Sequence, residues 1–95
     1  MWESYTRHFK NYLRLEKSLS DNTIAAYIQD IEKLAMYAKM QVSSPSPNQI
    51  TDRQLQDFLK YMQELGLAPH SQARLLSGIK AFYKYLLLED LIKED

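Results

Sequence analysis

The chain has 95 residues, 45% of them hydrophobic and 25% charged, with two glycines, three prolines and no cysteine. That suffices for one folded domain with a modest core but not for two, and it excludes a disordered chain, a disulfide framework and thiolate metal chemistry. Twelve basic residues balance twelve acidic ones, so any contact with a nucleic acid has to come from local clustering, because salt screens charges beyond about 10 Å.

The first predicted helix runs from about Trp2 to Lys17, with Trp2, Tyr5, Phe9, Tyr12 and Leu13 repeating at helical spacing as an aromatic core face. Arg7, Lys10, Arg14 and Lys17 fall together on another side. They form a basic stripe, which reads either as a solvated face or as a secondary surface for a polyanion.

Leu19-Ser20-Asp21-Asn22-Thr23 is a break followed by a helix start. Ser20 can accept hydrogen bonds from first-turn amides, and Asp21 complements the positive end of the dipole. Helix two then runs to about Met40. Its core stripe is Ile24, Tyr27, Ile28, Ile31, Leu34, Ala35 and Ala38, with Ala25, Gln29, Glu32, Lys33 and Met36 outside. Asn22 and Thr23 stand where first-turn amides and short polar side chains can hold an oxyanion, or where they simply cap the helix.

Gln41 to Ile50 is a polar, proline-punctuated loop inside the domain. Thr51-Asp52-Arg53-Gln54 is a capping box, Leu55, Phe58, Leu59, Met62 and Leu65 give helix three its stripe, and Gly66 supplies a left-handed stop. Pro69 opens the last helix, His70 to Leu88, which carries the longest regular pattern in the chain. At about 100° per residue, Leu75, Leu76, Ile79, Phe82, Tyr83, Leu86 and Leu87 share a core face. His70, Ala73, Arg74, Ser77, Lys80, Ala81 and Lys84 lie opposite, and no acidic residue occurs from Pro69 to Leu88. Cations interleaved with small side chains make a strip that can approach a phosphate backbone or enter a major groove, although a solubilising surface has the same pattern. The tail from Glu89 to Asp95 is acidic and adds no closing element, as expected where a further domain follows.

Four helices, each with one apolar stripe, imply an all-α bundle. No segment alternates as a strand does. No run reaches the roughly 18 apolar residues of a membrane span, no secretory leader is visible, and a cytoplasmic setting is expected. His8 and His70 have no carboxylate at ligand spacing, so neither a metal nor another cofactor is expected. No serine or threonine comes with a base and orienting partner, and most of the seven tyrosines occupy core stripes, so no catalytic constellation is present.

Two stretches together resemble the N-terminal, SAM-like core-binding domain of tyrosine recombinases (phage-type integrases), closest to the Xer type. Tyr12 to Ile31 is similar to the family's leucine-rich helix end followed by Leu-Ser-x-Asn-Thr and Tyr-x-x-Asp-Leu. Ser71 to Leu86 is similar to its Ser-x-Ala-Arg-x-Leu-Ser-Ala-hydrophobic-Arg-x-Phe-aromatic pattern. The resemblance implies a four-helix SAM-like orthogonal bundle over residues 1–95, forming half of a C-shaped clamp on double-stranded DNA, with the second and fourth helices across the major groove. It implies DNA-facing roles for Asn22, Thr23, Gln29, Ser71, Arg74, Ser77, Lys80 and Lys84. The catalytic domain that cuts and rejoins strands would lie outside this chain, which is then itself no enzyme. Other recombinase subunits in a synaptic complex would be partners, the isolated chain would be monomeric, and the protein would act at the nucleoid. Where Xer-like sequences carry two arginines before the aspartate of Tyr-x-x-Asp, this chain has Ile28-Gln29, which removes two potential phosphate contacts. A helical protein-interaction module is the competing reading, with Met36, Met40 and Ala25 as its candidate patch.

Overall fold

The computed structural model describes residues 2–89. They form four α-helices, α1 (Trp2–Leu15), α2 (Asp21–Met40), α3 (Asp52–Glu64) and α4 (Pro69–Leu88), with one turn of 3-10 helix at Pro47–Gln49 before α3. No strand occurs among the described residues. The acidic tail beyond Glu89 lies outside them.

Local chemistry sets each boundary. Ser20 caps α2 by accepting from the Thr23 amide at 3.2 Å. Thr51 and Gln54 close a reciprocal capping box at α3, with the Gln54 amide donating to the Thr51 hydroxyl at 3.1 Å and the Thr51 amide to the Gln54 side chain at 2.9 Å. Gly66, at φ +95°, ends α3, because a side chain there would be strained in the left-handed region. Ser18 takes a left-handed φ of +52° just past α1. The helix therefore stops at Leu15, and Lys17 lies beyond it rather than on its last turn.

α4 is the central element, packed against each of the other three helices, most extensively against α2. Phe82 is fully buried and anchors an aromatic cluster. Trp2 stacks on it with ring centroids 6.2 Å apart, and Phe9 meets it edge-on at 5.2 Å. Phe9, Leu13, Ile24, Ile31, Leu34, Phe58, Leu75 and Leu86 complete the core. The loop after α2 is tied down rather than loose. The Trp2 indole donates to the Pro45 carbonyl at 3.0 Å and the Tyr83 hydroxyl to the Pro47 carbonyl at 2.7 Å, which leaves Pro47 buried under α1 and α4. Burial pushes the Tyr83 phenol well above its ordinary value, so it stays protonated.

Three positions depart from the expected stripes. Leu65 is exposed because it caps α3 where the chain turns away at Gly66, and Leu76 is exposed at the rim between α3 and α4. Tyr85 is buried, because α1 brings Tyr12 and Phe9 over it. Arg74, Gly78, Ala81 and Tyr85 recur at i, i+4, i+7 and i+11, so they form a second inward seam on α4. A helix with neighbours on three sides buries a wider arc than a single stripe.

Gly78 lies on that seam, in mid-helix, where a Cβ would meet the Tyr27 ring at 3.4 Å, an ordinary van der Waals contact. Alanine fits there and avoids the helix penalty of glycine. Gly78→Ala is therefore expected to stabilise the fold by about 1 kcal/mol, read as a higher urea midpoint at unchanged m-value.

Candidate nucleic-acid interface

The α2–α4 seam contains the most deeply buried charge described. Asp30 has no exposed surface, and Arg74 reaches it from α4 with two bonds, Nε to Oδ2 at 2.8 Å and Nη2 to Oδ1 at 2.9 Å. Lys33 adds a third, Nζ to Oδ1 at 3.3 Å. The bonds that Arg74 donates to Asp30 raise its pKa further, so the guanidinium stays charged. Among the described residues no buried side-chain nitrogen or oxygen lacks a partner.

This arrangement corrects one expectation. Arg74 does not stand in an open row with Lys80 and Lys84. Its sector is the one α2 leans on, and its charge is largely answered by Asp30. The spacing within α4 cannot show this, since Asp30 lies 44 residues away.

The other cations sort by whether they have a carboxylate. Lys33 is held by Asp30, Lys39 by Glu3 at 3.5 Å, and Arg53 by Asp57 at 3.7 Å. Lys17 lies with its Nζ 6.0 Å from the Tyr12 ring centroid, apart from the α1 stripe. Among the described residues Arg7, Lys10, Arg14, Lys60, Lys80 and Lys84 have no ion pair within 4.0 Å. Two groups follow. Lys80 and Lys84 rim a groove between α3 and α4 that is floored by Leu55, Leu59 and Ile79. Lys10 and Arg14 rim a groove between α1 and α2, where they meet Ala25, Ile28 and Gln29, and Arg7 continues this edge beside Glu32.

The remaining expected residues have definite settings. Asn22, Gln29 and Ser77 are exposed, and Ser71 is half-buried at the start of α4. The Thr23 hydroxyl accepts from Ser20 at 3.0 Å and its amide donates back, so Thr23 belongs to the cap, although it remains at the surface. Gln29 shares its groove with Lys10 and Arg14, so the secondary basic stripe and the outer side of α2 form one surface. The apolar patch also changes membership. Met36 (67% exposed) and Met40 (64%) are joined by Leu65 (64%) around a groove with Tyr37, Tyr61 and Met62, whereas Ala25 sits in the α1–α2 groove. Among the described residues no His, Cys, Asp and Glu group could hold a metal ion, and no helix is long and apolar enough to cross a membrane.

A four-helix all-α chain with this layout is a SAM-like domain, and the chain belongs to the phage integrase N-terminal SAM-like domain family, whose profile matches residues 7–90. Its curated relatives are Xer tyrosine recombinases. It is 32% identical over 90 residues to tyrosine recombinase XerD of Chlorobaculum tepidum, covering 95% of this chain and 29% of that protein. It is 38% identical over 85 residues to tyrosine recombinase XerC of Pseudomonas syringae pv. syringae, covering 88% of this chain and 28% of that protein. The chain thus spans under a third of the length of these relatives. No solved structure matches it significantly.

The two kinds of cation are separable by stability. Arg74→Met leaves a buried carboxylate with only Lys33 and is expected to cost about 2–4 kcal/mol, somewhat below a fully buried pair because the Arg74 side chain is 38% exposed. Lys80→Met and Lys84→Met should stay within about 0.5 kcal/mol of the parent, all measured by urea denaturation.

Proposed function

We propose that this chain binds duplex DNA and forms the core-binding half of the DNA clamp of a site-specific tyrosine recombinase. The observation that carries the proposal is the segregation of charge. In a chain of zero net charge, three carboxylates, Asp30, Glu3 and Asp57, hold Lys33, Lys39, Arg53 and Arg74, while Arg7, Lys10, Arg14, Lys80 and Lys84 are exposed along grooves beside α2 and α4 with no ion pair within 4.0 Å among the described residues. Phosphate recognition needs such free cations at a surface, whatever the sum of charges over the chain. Asn22, Gln29, Ser71 and Ser77 supply short polar groups on the same two helices, suited to phosphate or base edges. On this reading residues 1–95 are the core-binding domain and strand cleavage belongs to residues of a catalytic domain outside this chain. Integration, excision and chromosome-dimer resolution all fit, as does work at the nucleoid in the cytoplasm.

Half a clamp with few cations binds weakly, at about micromolar or poorer. Five neutralised phosphates give a log-log salt slope of about −4.5. Titrating a labelled duplex at rising salt by fluorescence anisotropy should show that slope. Charge reversal at Lys80 and Lys84 should abolish binding, and reversal at Lys10 and Arg14 should flatten the slope by about two. Salt-independent binding, or none at roughly 20–50 mM salt, defeats the proposal.

A second reading rests on the exposed cluster of Met36, Met40 and Leu65, an apolar surface suited to contact with another recombinase subunit. The double variant Met36→Gln and Met40→Gln should leave the DNA isotherm of the isolated chain, which is expected to be monomeric, unchanged. A loss of DNA affinity in that variant would place the cluster on the nucleic-acid surface instead.

A further inference from the structure

Resting on the DNA-binding role proposed above, we infer that Asp30 is a positioning residue that holds Arg74 as a reader of a guanine edge, with Nη1 and Nη2 taking O6 and N7 in the major groove. A guanidinium has two forks, one formed by Nε and Nη2 and the other by Nη1 and Nη2. Asp30 occupies the first with both oxygens. The second has no partner among the described residues, and since no partnerless side-chain nitrogen is buried there, Nη1 reaches solvent.

The surroundings keep that fork accessible. On α4 the residues one turn from Arg74 are His70, Ser71, Ser77 and Gly78, the last of them against the Tyr27 ring of α2, and the Arg74 side chain is 38% exposed. Because Asp30 is immobile in the core, the plane of the guanidinium is set before any ligand arrives, and no side-chain entropy remains to be lost.

Charge distinguishes a base edge from a phosphate. The carboxylate at 2.8 Å, which Arg74 shares with Lys33, offsets part of the Arg74 charge seen by a polyanion but leaves its directional donors. Such a group adds little to counterion release and much to discrimination between base pairs. Lys80 and Lys84, with no ion pair within 4.0 Å among the described residues, do the reverse. The chain thus divides the work, with Arg74 specifying sequence and the free lysines supplying affinity.

The test is selection from a randomised duplex library by the 95-residue chain, followed by salt titrations on the enriched sequence and on one carrying 7-deazaguanine, which lacks N7. The wild type should enrich one guanine, and 7-deazaguanine at that position should weaken it roughly tenfold. Arg74→Lys keeps the charge and one bond to Asp30 but loses the second fork. It should lose the guanine preference, be indifferent to 7-deazaguanine, and change the salt slope by less than about 0.5. Asp30→Asn should lose the preference too, although Asp30 itself cannot touch DNA. If it fails to fold, as read by circular dichroism, Arg74→Lys carries the test alone. Retained preference in Arg74→Lys overturns the inference. Salt-dependent binding with no enriched guanine overturns it while leaving the DNA-binding role standing. No binding at low salt removes both.

Discussion

The ion pair of Asp30 and Arg74 sets how α2 and α4 sit together. A carboxylate with no exposed surface is tolerable only with its lone pairs met, and here both oxygens are met by a planar, bidentate donor and a lysine. Such a pair adds little net stability over an apolar filling, but it penalises every other register of the two helices, since sliding one past the other would leave the carboxylate without its fork. Gly78 lies beside the pair on the same seam, with the Tyr27 ring and the Asp30 Cβ both within 4 Å of where a side chain would begin there. The two helices that carry most of the proposed contact residues are therefore fixed relative to one another before any ligand binds.

Around that seam the aromatic residues provide volume rather than chemistry. Trp2, Phe9, Phe82, Tyr12 and Tyr85 form a continuous cluster between α1 and α4, and Tyr37, Phe58 and Tyr61 form another between α2 and α3. Tyr83 uses its hydroxyl to hold the loop at Pro47. Burial raises both Tyr83 and Tyr85 above the ordinary phenol value, with Glu89 adding to the shift at Tyr85, which is the opposite of what a nucleophile needs.

Charge follows a similar economy. A neutral chain is a poor candidate for a polyanion partner if all its charges are weighed equally, yet the ion pairs are local and leave a particular subset of cations unanswered. Lys10 and Arg14 of α1 border the same groove as Ile28 and Gln29 of α2. Cations from α1 thus stand beside the outer side of α2.

What the sequence determined by itself was local. Helical periodicity, the caps at Ser20 and Thr51, the stop at Gly66 and the start at Pro69 located four helices, since each depends on contacts within a few residues. The tertiary structure decided what no window of sequence contains: that Arg74 faces a buried Asp30, that Tyr85 is covered by α1, that Leu65 and Leu76 are left outside, and that the α1 stripe borders the outer side of α2. A polar residue in mid-helix gives no sign of its partner across a helix contact, and the arc a helix buries depends on how many neighbours it has. Both are properties of packing between distant segments, and they decide which cations remain free to bind.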